Sequence, residues 1–368
     1  MTFICEKSVL CEAISNVSKA TTTKSAISAL EGIKLKLTAN TLELTGYDLD
    51  LGIRTSIPVK SDDSGEWIIN ARLFGEIARK MPSGEITTEI DEALNVKITG
   101  NQTEYSISSI PADEYPDLPE YSNESRITIK QSSLKSMIQQ TIYAVAINDN
   151  KPILTGELFD ISADGNVNLV AIDGFRMAVR TEKTNISKAD KFVVPSKALN
   201  EVSRLLKDDD EKQCDIYTTG RHIVFDMNGY LVFSRLLEGE FHNYTASIPQ
   251  EYSTSAEIGV KEMLDCLERC SLLINEKNKA PVRCNFTQDK LEIKCGTTIG
   301  RISEEITCKT EGEGFEIGLN NRFFYEALRA TECDKVLLQM DGPKKPVKIM
   351  PSEGQDFIFL LMPVQIRD

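Results

Sequence analysis

The groups in this 368-residue chain that could do chemistry are few. Two sets of carboxylates suggest a divalent-metal centre of the kind that cleaves phosphodiesters: Asp48 with Asp50, and the run Asp208-Asp209-Asp210-Glu211. The first pair follows a strand at a turn. The second is a charge run after a helix, which reads more simply as a solvated loop. A phosphate-binding loop needs GxxxxGK[ST]; the nearest approach is Gly342-Pro343-Lys344-Lys345-Pro346, a basic turn. No GxSxG elbow presents a nucleophile, and the only imidazoles are His222 and His242. The nine cysteines form no CxxC pair. Cys266 and Cys270 share a helix face by their spacing, with too few neighbouring ligands for a metal. They read as reduced, structural thiols of a reducing compartment. The residues therefore imply no catalytic group, no metal and no cofactor.

The composition is that of a soluble globular protein, with 41% hydrophobic and 27% charged residues. No apolar stretch is long enough to span a bilayer. The opening Met1-Thr2-Phe3-Ile4-Cys5-Glu6-Lys7 has none of the regions of a signal peptide, so a cytoplasmic location and no membrane partner are expected. A net charge of −14 opposes nucleic-acid binding only if it is spread evenly. What matters is where the basic residues gather.

The elements that position these residues recur three times. Each unit opens with a short strand and an amphipathic helix. Phe3-Ile4-Cys5 leads to a helix over 8–20 with Val9, Leu10, Ala13, Ile14 and Val17 on one stripe. Ile127-Thr128-Ile129 leads to one carrying Leu134, Met137, Ile138, Ile142 and Val145. Ala256-Glu257-Ile258 leads to one carrying Met263, Leu264, Leu267 and Leu272. Period-two strands follow at 33–37 and 41–45, at 157–161 and 167–172, and at 282–286 and 290–293, with Asn40, Asp164-Gly165 and Asp289 at the turns. A second strand then enters a second helix at 67–74, 192–199 and 315–323, a step of about 125 residues, the size of one domain. Closing strands fall at 104–110, 230–236 and 357–362. The turn-rich segments 111–119 and 249–253 separate domains at 1–120, 126–249 and 254–368. The fold class is α+β, with helices on one side of antiparallel sheet.

Within these repeats, several segments together resemble the bacterial DNA polymerase III beta subunit, the processivity clamp, across essentially the whole chain. They are Leu44-Thr45-Gly46-Tyr47-Asp48-Leu49, the stretch 106–116, Val170-Ala171-Ile172-Asp173-Gly174-Phe175-Arg176-Met177-Ala178, the stretch 238–244, Asn275-Glu276-Lys277 and Leu361-Met362-Pro363-Val364. The resemblance implies three tandem repeats of the DNA-clamp fold in a head-to-tail homodimeric ring, with helices lining the inside and sheets outside. It implies a non-enzymatic processivity factor with sequence-independent double-stranded DNA, the polymerase III catalytic subunit, an ATP-driven clamp loader, and replication and repair proteins as partners.

The resemblance also assigns residues. Basic side chains on or beside the inner helices are Lys19, Lys24, Arg72, Arg79, Lys80, Lys135, Lys197, Arg204, Lys207, Lys261, Arg269, Arg322 and Arg329. The DNA-binding set is Lys24, Arg72, Arg79, Asn148, Lys151, Lys197 and Arg204. A client-peptide pocket is expected from Ile172, Gly174, Phe175, Arg176, Met177, His242, Ser247, Asn320, Phe323, Pro346, Leu360, Met362, Pro363 and Val364. Edge strands near 104–109 and 301–306 would pair between chains, with Tyr105, Ile107, Leu272, Leu273, Ile302 and Glu304 at the dimer interface. Phe175 stands where some relatives have histidine, His242 where some have proline, and Pro152-Ile153 where some have an aromatic pair. Two other readings compete on the residues alone: a nuclease using Asp48 and Asp50, and a repeat scaffold that never meets DNA.

Overall fold

A computed structural model describes residues 1–122, 126–147, 150–184, 186, 188–274 and 280–366. Contacts between its elements gather the chain into two compact units, Met1–Ser132 with Lys197–Leu236, and Ser133–Ser196 with Leu237–Asp368. This division cuts through the expected 126–249 repeat. The cause is backbone pairing. Tyr230–Arg235 of that repeat pairs antiparallel with Leu51–Pro58, from Tyr230 opposite Thr55 to Ser234 opposite Leu51. Arg176–Lys183 pairs with Phe357–Leu361, from Arg176 opposite Leu361 to Arg180 opposite Phe357.

The first unit holds a nine-stranded and a four-stranded antiparallel sheet. Helices α1 (Lys7–Val17) and α2 (Ala71–Lys80) pack against each other. α1 buries Leu10, Ala13, Ile14 and Val17. Val9 stands exposed, since one residue turns the helix by about 100° and carries it off the stripe. α2 starts where Asn70 Oδ1 accepts the Leu73 N–H at 3.0 Å, a cap that contributes about 1 kcal/mol. Trp67 and Phe3 fill the core beneath, stacked at 6.3 Å. The expected linker after 110 is docked: Tyr115 is buried and its hydroxyl donates to the Thr45 carbonyl at 3.1 Å. In the four-stranded sheet Thr103–Ser108 lies at the end of the strand order and pairs with Asn95–Gly100.

Helices α3 (Gln131–Thr141) and α4 (Ser196–Leu205) fall where the chain passes between units. α3 is shorter than its apolar stripe suggests: Ile142 starts a 3-10 turn, Ile142–Ala144.

The second unit carries one twelve-stranded sheet. Helices α5 (Val260–Ser271) and α6 (Asn321–Arg329) pack together, burying Met263, Cys266, Leu267 and Cys270 from α5 and Phe324, Ala327 and Leu328 from α6. Asn320 Oδ1 accepts the Phe323 N–H at 3.1 Å, repeating the Asn70 cap. Leu272, expected on the α5 stripe, lies just past the helix end and is 78% exposed. The strand Gly300–Gly312 pairs with Lys290–Thr297 through its first half and with Thr254–Gly259 through its second. Among the described residues, the far side of its 300–307 half has no strand partner. All nine thiols are free; Cys11 and Cys333 are partly accessible and the others buried.

One buried carboxyl has a measurable consequence. Glu157 is fully buried in the strand Gly156–Ile161, and burial pushes its pKa up to about 8 against a weaker lowering by Thr141. The Thr141 hydroxyl lies 2.6 Å from Glu157 Oε2 and 2.8 Å from the Met137 carbonyl. Burial outweighs the hydrogen bond that Thr141 donates, so the neutral carboxyl is favoured in the folded state. The folded state then retains a proton that the unfolded chain releases above its ordinary pKa of 4.5, so this group's contribution to stability falls from about pH 4.5 to about pH 8 and is level above that. Glu157→Gln is expected to match the wild-type stability in urea at pH 5 and to exceed it at pH 9, by roughly 4 kcal/mol. Equal midpoint differences at both pH values would refute a protonated Glu157.

Candidate peptide groove and basic helix faces

In the second unit, Ile172, Gly174, Arg176, Met177, His242, Ser247, Pro346, Leu360 and Met362 line one cavity of about 720 Å³. Its frame is a tight turn between the strands Asn166–Ile172 and Arg176–Lys183. Asp173 Oδ1 accepts the N–H groups of Phe175 at 2.9 Å and Arg176 at 3.0 Å. Gly174 closes the turn at φ +87°, where a side chain is strained. Strand register places Ile172 opposite Met177 and Met177 opposite Leu360. These three also belong to a buried apolar cluster with Val170, Val179 and Tyr244, so the cavity floor doubles as core.

The opposite wall is the loop before the 3-10 turn Tyr244–Ser247. Tyr244 anchors it, its hydroxyl donating to Asp160 Oδ2 at 2.8 Å. Burial raises the Tyr244 pKa, so the hydroxyl stays a donor. His242 Nε2 lies 3.0 Å from Ser247 Oγ, which fixes the imidazole at the mouth. Sequence reasoning did not assign Ile153, Leu154, Glu240, Phe241 and Asn243 to this cavity, although they line it. Their closeness in sequence to Lys151 and His242 was the available signal. Lys151, expected at DNA, lines it as well.

Other expected pocket residues form its rim or lie apart from it. Phe175 is 62% exposed, with its ring 6.2 Å from Phe323, and its carbonyl accepts the Met362 N–H at 2.9 Å. Asn320 is engaged as the α6 cap. Pro363 follows Met362 out of the sheet. Val364 turns elsewhere, donating its N–H to the Gly318 carbonyl at 2.8 Å and lining a separate cavity with Pro281, Arg283 and Arg301.

Arg176 is 6% exposed, and its charge is compensated. Asp173 Oδ2 accepts its Nε at 2.9 Å, and Glu326 Oε2 accepts from its Nη1. The guanidinium lies 4.4 Å from the Phe323 ring centre and 5.2 Å from that of Tyr143. Burial alone raises the Glu326 pKa, but hydrogen bonds from Arg322 and Arg176 outweigh it and hold the carboxyl below its usual range. Charge-assisted bonds on two sides meet the high cost of burying a guanidinium.

The expected DNA-binding side chains Lys24, Arg72, Arg79, Lys151, Lys197 and Arg204 are all exposed. Asn148 lies outside the described residues. Arg72 pairs with Glu76 at 3.1 Å and Arg204 with Glu201 at 2.7 Å, exposed pairs that contribute little and leave the cations available. Lys197 pairs with Asp48. Asp48 also accepts the N–H groups of Asp50 at 3.1 Å and Leu51 at 2.7 Å, so it holds a turn. Among the described residues, no group of three or more His, Cys, Asp or Glu could hold a metal ion.

Of the expected dimer residues, Tyr105 and Ile107 alternate with exposed neighbours on the edge strand Thr103–Ser108. Ile302 and Glu304 do the same on the open half of Gly300–Gly312, where Leu272 and Leu273 lie on the chain just past α5. Glu304 is already engaged by Arg269, which donates through Nε at 2.7 Å and Nη2 at 2.6 Å.

Comparison with known proteins covers the chain from end to end. Models of the N-terminal, central and C-terminal domains of the DNA polymerase III beta subunit match residues 1–119, 128–243 and 245–365. The Beta sliding clamp of Bacillus subtilis is 30% identical over 378 residues, covering 99% of this chain and 100% of the relative. That of Halalkalibacterium halodurans is 30% identical over 382 residues with the same coverage. Among solved structures, a putative DNA polymerase III beta subunit from Eubacterium rectale has a TM-score of 0.93 at 34% identity, covering 99% of both chains. The DNA polymerase sliding clamp of B. subtilis has a TM-score of 0.95 at 30% identity, covering 100% of both. With three successive domains matched and relatives at this identity over nearly every residue, the chain belongs to the DNA polymerase III beta subunit family.

Proposed function

We propose that the chain is a DNA sliding clamp, with domains at 1–120, 126–249 and 254–368, two copies of which close head to tail around duplex DNA. The succession of three matched clamp domains in one chain carries this reading. Two open strand edges support it, Thr103–Ser108 and the 300–307 half of Gly300–Gly312. Exposed edges invite pairing, and a head-to-tail contact between unlike edges closes into a ring when the rotation permits. Tyr105 and Ile107 of one copy would meet Ile302 of the other, with Leu272 and Leu273 adding apolar area.

Retention on DNA is then topological. Lys24, Arg72, Arg79, Lys151, Lys197 and Arg204 would face phosphates without reading bases, so contacts are salt-sensitive and sequence-neutral. The excess of carboxylates keeps DNA from the outer surface. The groove between Ile172, Met177, Leu360 and Met362 would accept short segments of the polymerase III catalytic subunit and of other replication and repair proteins, apolar anchors entering and polar groups of the mouth fixing orientation. The chain has no catalytic step of its own and works in the cytoplasm. A closed ring requires an ATP-driven loader to reach circular DNA.

Light scattering should give about twice the chain mass; a monomer at micromolar concentration would contradict the ring. Protein loaded on nicked circular duplex should stay bound through gel filtration at high salt and escape once the circle is cut, whereas equal retention on linear and circular DNA would exclude topological linkage. Met362→Ala with Pro363→Ala should weaken client-peptide binding at least about tenfold and leave the dimer mass unchanged. Undiminished binding would move the client site away from this groove.

A further inference from the structure

Glu326 on α6 reaches in two directions. Its Oε1 accepts from Arg322 Nε at 2.8 Å, on the exposed face of the helix. Its Oε2 takes Arg176, whose guanidinium sits beneath the groove. Arg176 in turn holds Asp173, and Asp173 fixes the turn through Gly174 and Phe175. Phe323, over which the guanidinium stacks, is also the ring beside Phe175. The groove rim therefore rests on a chain of charges, Asp173–Arg176–Glu326–Arg322, that ends in solvent. Arg322, Arg329, Glu326 and Arg176 together line a second cavity of about 640 Å³.

We propose that Glu326 is a positioning residue for the peptide groove, and that by sharing its carboxylate with Arg322 it ties the groove's affinity to phosphate contact on α6. This rests on the clamp reading given above, with α6 taken as one of the helices that line the inside of the ring and Arg322 as its phosphate contact. A guanidinium can pair with a phosphate as readily as with a carboxylate. When a DNA phosphate draws Arg322 away, the whole carboxylate charge of Glu326 falls to Arg176. The guanidinium is held more firmly against Asp173, and the turn bearing Gly174 and Phe175 is fixed in place before the peptide arrives. A preordered rim binds more tightly because less is ordered on binding. By linkage, a bound peptide strengthens the phosphate contact by the same factor.

The test uses the full-length protein and a fluorescein-labelled peptide carrying leucine and phenylalanine anchors, read by anisotropy at low salt with and without a linear duplex. Wild type is expected to bind the peptide about threefold tighter with the duplex present, a coupling within the range of such networks. Glu326→Gln is expected to weaken the peptide about tenfold and to abolish the response to duplex. A residue that only supports the fold would lower affinity and leave that response intact. Arg322→Gln, which leaves Glu326 and Arg176 joined, provides a second reading: it should bind peptide without DNA as tightly as wild type does with DNA, and gain nothing from the duplex. Wild-type affinity and wild-type duplex response in Glu326→Gln, or a full response in Arg322→Gln, would overturn the inference while leaving the groove reading in place. Failure of the wild-type protein to bind the peptide would overturn the groove reading itself.

Discussion

Main-chain hydrogen bonding between strands of different repeats is the constraint on which this structure rests. Tyr230–Arg235 completes the sheet begun by Leu51–Pro58, and Arg176–Lys183 completes that of Phe357–Leu361. Each junction turns two repeats into one continuous sheet, so the middle repeat is shared between two units. A side-chain interface tolerates sliding. A backbone ladder does not, because a one-residue slip would turn every buried side chain of the strand to the wrong face. The junction at Arg176–Lys183 also sets the groove, since register alone decides that Met177 lies opposite Leu360 and that Arg176 points beneath the turn.

From this follows the division of labour around Arg176. The strand delivers a charged side chain into the interior, and the fold answers with Asp173 three residues away and Glu326 from a helix 150 residues on. Two carboxylates for one guanidinium leave one net negative charge, balanced when Arg322 takes the second oxygen of Glu326. Aromatic faces on Phe323 and Tyr143 shield the cation from water. The arrangement is buried where it meets the groove and open to solvent at Arg322.

Much of this was legible in the sequence, for local reasons. Period-two alternation located the strands, and the recurrence of a strand entering a helix at 67–74, 192–199 and 315–323 located the second helix of each repeat. The groove floor was legible through resemblance of the 170–178 stretch. What stayed hidden was non-local. The partnership of Arg176 with Glu326 has no sequence signal, because nothing near either residue specifies the other. The sharing of the middle repeat depends on strand pairing across more than 170 residues, which periodicity does not encode. The departure of Val364 from the groove follows from its bond to Gly318, where a side chain would collide with the Val364 carbonyl at 2.5 Å. Val9 and Leu272 show the limit of the apolar stripe: an apolar residue at a helix end has no obligation to be inside.

The distribution of thiols makes the protein its own reporter. Cys11 lies in the first unit and Cys333 in the second, each partly open to solvent, while Cys5 and Cys214 are sealed in the first and Cys266, Cys270, Cys284, Cys295 and Cys308 in the second. A membrane-impermeant alkylating reagent applied briefly would mark the two outer sulfurs in the native state. Further marks arise only as a core opens, and their positions say which half of the molecule breathed first.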